Sequence, residues 1–382
     1  MCDNKGVRHA LILALTICVP CAAQVIVNPI HIQSMIGIFD PQPGDRELRC
    51  EVTPIHPALN FGFRFQAGYR VTVSASQFAG KGHAWSVLVR VTPLVSSKPV
   101  YLVSGQRLAE IPKTTMQLQF GGGYLLGEGA YDVNWVMLDD QERICRKTWR
   151  VDVHRSHAEH SVKVAMPPDT VWDVSLRGAR LLPRNTDDAA SIRLSILLNA
   201  APLFARRTRI RPGDIGTLIS AVSSLLERVP VRRVRLVVFN LEQQKELYRN
   251  GNFMLMNMPD VAQAMNSIDL NTVDYEVLKN RGGHVDLLAG LINQEIHENP
   301  PSDVVLCLGP MSRFTDRVPT DLIEKQSGPA PRFVNVELLP SPFMQSTLPD
   351  IIRNAVSRVG GRTMLVHTPG EFARAIERLE KP

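Results

Sequence analysis

Cys307 and His284 are the two side chains of this sequence whose pairing would make a nucleophile and its base. A thiol becomes reactive when an imidazole takes its proton, provided a third group orients the imidazole and donors await the developing charge. Neither accessory is evident around "VVLCLG", so Cys307 also reads as a small apolar residue of a buried strand. His154, His157 and His160 recur every third residue in "HRSHAEH", a spacing that would line them up on one helix face as metal ligands. No cysteine or tight second pair closes such a site, and the stretch reads as polar linker. The run "GGGYLLGEG", residues 121–129, lacks the lysine and hydroxyl of a phosphate loop and reads as a flexible turn between strands.

Arginines supply the remaining chemistry. Arg206, Arg207, Arg209 and Arg211 follow one apolar run; Arg228, Arg232, Arg233 and Arg235 bracket the next. Gathered into one patch against Asp214 and Glu227, they would attract an acidic protein, an anionic glycan or a lipid headgroup. The two groups flank opposite ends of an intervening helix, which favours a solvated, partly self-paired surface. "NFMLMNM", with three methionines in residues 252–258, suits either an adaptable contact surface or a strand.

Positioning these residues takes two architectures. At 382 residues the chain is long enough for two domains with separate cores. Lys5 and Arg8 precede an apolar stretch, Ala10 to Val19, and Cys21-Ala22-Ala23 offers small residues for cleavage before Gln24. Residues 1–23 therefore read as a signal peptide, with the mature chain secreted or periplasmic. No other run reaches the length of a stable membrane span. Removing the signal lowers the formal charge of +6 by one, too mild a balance to select nucleic acid. Three cysteines then remain. Cys50 and Cys145, both on strand-like runs of the N-terminal half, are the expected disulfide in an oxidising compartment, with Cys307 left over.

Residues 24–153 read as short strands separated by turns, including "YRVTVSA", "AWSVLVRVTP", "PVYLVS" and "TMQLQF". The clearest feature is a hairpin over 129–153, where Tyr131, Val133, Trp135 and Met137 alternate with smaller or polar neighbours before a turn at Asp139 to Glu142. Strands without intervening helices predict an all-β antiparallel sandwich, and the hairpin resembles the closing strands of an immunoglobulin-like domain. Residues 154–189 read as linker. From 190 to 382 strand and helix alternate: "IRLSILL", a helix over 212–229, "RRVRLVVFNL", a third strand at "FMLMNM", a helix over 284–298, "DVVLCLG", "RFVNVELLP", and a closing helix–strand–helix. That rhythm predicts a doubly wound, mostly parallel α/β sheet with helices on both faces.

The ordered phrases "VRLVVFN", "RGGHVDLLAGLINQ", "DVVLCLG" and "NAVSRVGG…MLVHTPGEFARAIERL" resemble the von Willebrand factor A domain over residues 190 to 381. Resemblance to that family implies a metal-ion-dependent adhesion site at the C-terminal ends of the strands. Its Asp-x-Ser-x-Ser motif falls on Asn199, Ala201 and Leu203; its threonine falls on His284 or Val285; its aspartate falls on Leu308 or Gly309. None of these residues carries a carboxylate or hydroxyl, and a hard cation wants several oxygen ligands. The expectation is a degenerate site with no metal and no cofactor in a non-catalytic protein. Such a chain would bind a protein partner, one of acidic character fitting the arginines, through Asn199, Arg206, Arg207, Arg209, Arg211, His284 and Asp286. The alternatives are a Mg²⁺ site rebuilt from Asn199, His284 and Asp286, a thiol enzyme using Cys307 and His284, or a sandwich that does the binding while the second domain is scaffold.

Overall fold

The computed structural model describes residues 24–174, 191–204, 207–270, 274–324, 331–339 and 349–380. The expected signal peptide, most of the latter half of the expected linker and Arg206 lie outside them. The chain divides into two units, Met1–Gly178 and Ala179–Pro382, and carries both β-sheets and helices. Among the described residues no helix is long and apolar enough to cross a membrane.

The first unit holds β1 (Val25–Val27), β2 (Arg46–Glu47), β3 (Cys50–Leu59), β4 (Phe65–Ser74), β5 (Ala84–Pro93), β6 (Val100–Arg107), β7 (Gln117–Leu126), β8 (Gly129–Asp139), β9 (Arg143–Val153) and β10 (Val171–Asp173). They form two sheets, ordered β1-β6-β5-β8-β9-β2 and β10-β7-β4-β3. Alternation builds the core between them. Tyr69 of β4 meets Trp135 of β8 edge-on with centroids 5.5 Å apart, and Trp85 of β5 stacks on Phe120 of β7 at 4.8 Å. A disulfide joins Cys50 of β3 to Cys145 of β9, with the Cα atoms 6.2 Å apart. At the corner leading into β8, the Tyr131 hydroxyl donates to the Gly127 carbonyl at 2.8 Å.

Two local expectations are corrected here. Gly121, Gly122 and Gly123 are not a turn but the middle of β7, paired with β4. A Cβ on Gly122 would lie 2.4 Å from the Tyr69 hydroxyl, so glycine is required by the strand beside it. Residues 171–173, placed in the linker, form β10 and pair with the end of β7. The outer face of the six-stranded sheet is apolar as well, at Leu88, Val136 and Leu138. Helix α1 (Pro29–Ile32) and the 3₁₀ turn after it cover that face with Ile32, Met35, Ile38 and Phe39.

The second unit runs β11 (Ile192–Asn199), α2 (Pro212–Arg228), β12 (Val231–Asn240), β13 (Lys245–Asn250), α3 (Met258–Asn266), α4 (Tyr275–Lys279), α5 (Gly283–His297), β14 (Val304–Pro310), β15 (Arg332–Leu338), α6 (Ile351–Arg358), β16 (Arg362–Val366) and α7 (Pro369–Glu380). One sheet orders them β13-β12-β11-β14-β15-β16, parallel except for β13. The third strand is therefore "KELYRN", and "FMLMNM" instead leads through a 3₁₀ turn into α3. Leu197, Val237, Val305 and Cys307 face Leu288, Ile292, Ile352 and Val356 of α5 and α6. The alternate residues Leu194, Ile196, Leu198 and Leu236 point the other way and are equally buried. Both faces of the sheet are thus covered.

Candidate functional site

In a sheet wound this way the chain leaves β11 toward β12, then returns to place β14 on its other side. The loops at the C-terminal ends of these two strands splay apart at that switch point, which is where open α/β sheets bind ligands. Asn199 ends β11 and Pro310 ends β14, so the expected position of Asn199 is also the position the topology singles out.

The gap is closed by protein. Asn199 Nδ2 donates to the Pro310 carbonyl at 3.1 Å. Gly309 packs against Asn199 so closely that a Cβ would come within 2.7 Å of its carbonyl oxygen, and its φ of 149° suits glycine alone. Ala201 and Leu203 are buried. Asn240, at the end of β12, donates to the Ala200 carbonyl at 2.6 Å and accepts the Gln243 N–H at 2.8 Å. Across the mouth, the Arg313 guanidinium bonds Glu242 Oε2 at 3.2 Å and the Arg207 carbonyl. Burial pushes the Glu242 carboxyl above its ordinary value, and the Arg313 charge offsets this only in part.

His284 opens α5 and is 5% exposed. Its ring stacks on Phe314 with centroids 3.9 Å apart, and Nε2 lies 3.0 Å from the Asp316 carboxylate. Val285 packs against the core, while Asp286 is exposed one position further along. Gln244 donates to the Asn280 carbonyl at 2.8 Å, tying the loop after β12 to the loop before α5. The loops after β11, β12 and β14, together with the start of α5, are thereby cross-linked into one surface.

The arginines separate. Arg207 pairs with buried Asp214 at 3.3 Å and lies over the Phe204 ring, while Arg209 and Arg211 are exposed in the same loop. Arg232 pairs with Asp303 and Arg233 bonds the Gly251 carbonyl. Arg235 is no surface residue at all: it is 6% exposed and donates to Glu295 at 2.7 Å and to Ser195. The reading of two basic clusters is corrected accordingly, since the second contains a buried ion pair.

Cys307 sits in the core under α5 and α6, and burial pushes its thiol up to about 12. A thiol held protonated and covered cannot attack a substrate at neutral pH, so the Cys307–His284 nucleophile is set aside. His157 and His160 lie in an exposed turn with ring centroids 5.8 Å apart. Among the described residues no cluster of three or more His, Cys, Asp or Glu side chains is arranged to hold a metal.

Glu242, Ser312, Arg313, Phe314 and Asp316 form much of this surface, and none stood out in the sequence. Their one legible signal is position, directly after the apolar runs "VVFN" and "VVLCLGP".

No protein-family model matches the chain, and no curated protein matches it. Among solved structures, it is similar to a Bordetella pertussis protein assigned as ApaA, with 12% identity and a TM-score of 0.20, covering 29% of this chain and 98% of that one. A second structural-genomics target, SoR45, shows 16% identity and a TM-score of 0.18, covering 30% and 95%.

Proposed function

We propose that this is an exported, non-catalytic interaction protein, an immunoglobulin-like sandwich followed by a von Willebrand factor A-type domain that binds a protein partner without a metal. The Tyr131–Gly127 bond supports the sandwich reading, because a tyrosine corner of this form opens the penultimate strand of such domains. The disulfide departs from the pattern, since it joins β3 to the last strand of the hairpin. The strand order supports the second reading, with its switch point at Asn199 and Pro310.

One observation carries the metal-free conclusion. The position where a cation would sit is spanned by the Asn199–Pro310 bond, and the neighbouring ligand positions are Ala201, Leu203 and Gly309. Mg²⁺ is held by one or two carboxylates with waters completing its octahedron, and these ligand positions offer one neutral amide oxygen and no carboxylate, the nearby Glu242 being paired with Arg313. A site rebuilt from Asn199, His284 and Asp286 would have to break the His284–Asp316 contact and recruit an exposed carboxylate. The partner surface is the cross-linked loop end, with Arg209 and Arg211 as its exposed cations and acidic groups as their complement.

Calorimetric titration of the mature chain with Mg²⁺, paired with melting in EDTA, tests the metal-free reading. No binding heat and an unchanged Tm are expected. A saturable micromolar isotherm overturns it.

A further inference from the structure

The cleft at the end of β11 and β12 is lined by Asn199, Asn240, Glu242, Ser312, Arg313 and Phe314, among others. Its amide donors are engaged. Asn199 Nδ2 is given to Pro310, Asn240 Nδ2 to Ala200, and the Ser312 N–H to Asp350 at 2.6 Å. Asn240 Oδ1 and Ser312 Oγ likewise accept from Gln243 and Phe314, but two acceptors are not fully used. Asn199 Oδ1 is buried with no hydrogen-bond partner, in a residue only 2% exposed. Glu242 commits one oxygen, Oε2, to Arg313. Burial raises the Glu242 carboxyl despite that contact, so its charge is incompletely compensated.

A cleft with spare acceptors and an under-compensated carboxylate calls for a cationic donor. Its free space is about that of one water-sized group, room for an –NH₃⁺ head but not for a guanidinium or a trimethylated ammonium head. A divalent cation would find too few oxygens. We infer that this cleft receives a primary ammonium group, the side-chain head of a partner lysine, between Asn199 Oδ1 and the Glu242 carboxylate. The assignment rests on the reading of this loop end as the binding surface and adds one cationic contact, at the cleft, to the acidic groups facing Arg209 and Arg211. Arg313 is then an internal competitor, leaning on Glu242 through one 3.2 Å contact with its side chain 29% exposed.

The test is an NMR titration of the isotopically labelled mature chain, following the Asn199 side-chain amide and the Ser312 N–H. Methylammonium is expected to shift both saturably, and tetramethylammonium at equal ionic strength, having no N–H donors, to shift neither. Arg313→Gln should tighten methylammonium binding about fivefold by removing the competitor, and Glu242→Gln should abolish it. If Glu242→Gln does not fold, Arg313→Gln still decides. Equal responses to the two cations, no response, or no gain in Arg313→Gln each overturn the assignment. A lysine peptide should bind and its Nε-acetylated form should not; putrescine binding tighter than the lysine peptide would overturn the partner-lysine source in favour of a free diamine. A positive Mg²⁺ isotherm would defeat the metal-free reading without producing any of these outcomes.

Discussion

The two ends of the second sheet are made from similar residues and treat them differently. At the N-terminal end, buried Arg235 satisfies Glu295, Ser195 and Glu298, and the Ser195 and Ser302 hydroxyls bond each other at 2.7 Å. Asp303 accepts the Arg193 N–H at 2.7 Å and its guanidinium at 2.9 Å. At the C-terminal end, Asn199 Oδ1 and His284 Nδ1 are buried without partners. Two carboxylates there, Glu242 and Asp350, are displaced upward by burial. Native structures satisfy nearly all buried polar groups, so the contrast is informative. Among the described residues the N-terminal end also has an unpartnered buried atom, Arg193 Nε, but has spent its carboxylates and hydroxyls on cohesion, whereas the other end has kept acceptors in reserve. Reserve of that kind is what a binding surface needs.

The largest expected effect lies at the cohesive end. Arg235→Ala leaves Glu295, itself 1% exposed, as an unpaired buried charge. Breaking a buried pair in this way costs about 3–5 kcal/mol. Denaturant unfolding followed by far-UV circular dichroism would show it. All four tryptophans, Trp85, Trp135, Trp149 and Trp172, lie in the first unit, which makes their fluorescence an internal control. It should not move. Replacing Cys50 and Cys145 by alanine should do the reverse, shifting the tryptophan transition by about 2–4 kcal/mol. A loss below 1 kcal/mol in Arg235→Ala would break the comparison, because the N-terminal end would then be no better knit than the other.

The sequence made some of this contrast readable and hid the rest. Asn199 was marked both by the end of an apolar run and by the motif position that the family resemblance assigned to it. The hairpin of β8 and β9 showed in the alternation of its first half, Tyr131 to Trp135, while its turn-ward end is buried on both faces. Strand β13 did not show, because it is an edge whose residues are mostly half-exposed or exposed, so pairing by backbone leaves no apolar period. The glycines of β7 answer to Tyr69, about fifty residues away. Arg235 looked like one more surface charge until Glu295 was placed beside it, and Arg313 and Glu242 meet across 71 residues. Contacts of that range leave no local spacing to read.

Acid titration separates the two ends by sign. Burial works to raise Asp303, but hydrogen bonds from Arg193 and the charges of Arg193 and Arg232 hold it below its ordinary 3.8. Its stabilising contribution is therefore present above pH 3.8 and lost as pH falls further. Asp350 behaves oppositely. Burial and the Glu337 charge raise it above 3.8 against the N–H bonds from Arg353 and Ser312. Its contribution is full below pH 3.8 and is lost as pH rises through the displaced value. Glu242 follows Asp350, from 4.5 upward. Melting temperatures of Asp303→Asn and Asp350→Asn, compared with the parent from pH 2.5 to 7, should differ in where their curves diverge. Asp303→Asn should remove an acid-side loss, and Asp350→Asn a decline toward neutrality; asparagine keeps the cap on α6. Divergence in the same window would show that the two ends are not electrostatically distinct.

The smallest expected effect is the sharpest test of reserve capacity. Asn199→Ala removes a buried side chain, and by burial alone a large cost would be expected. The bookkeeping of its polar atoms says otherwise. The variant leaves the Pro310 carbonyl without its Nδ2 donor, at a cost of about 1–3 kcal/mol, and also removes a stranded acceptor whose desolvation costs a similar amount. The two nearly cancel, and Asn199→Ala should change stability by less than about 1 kcal/mol while losing the methylammonium response. A residue held in the core of a switch point at little net gain is one kept for what it binds. If the variant instead loses about 3 kcal/mol, Asn199 is a structural tie like Arg235, and the C-terminal end has no polar capacity to spare.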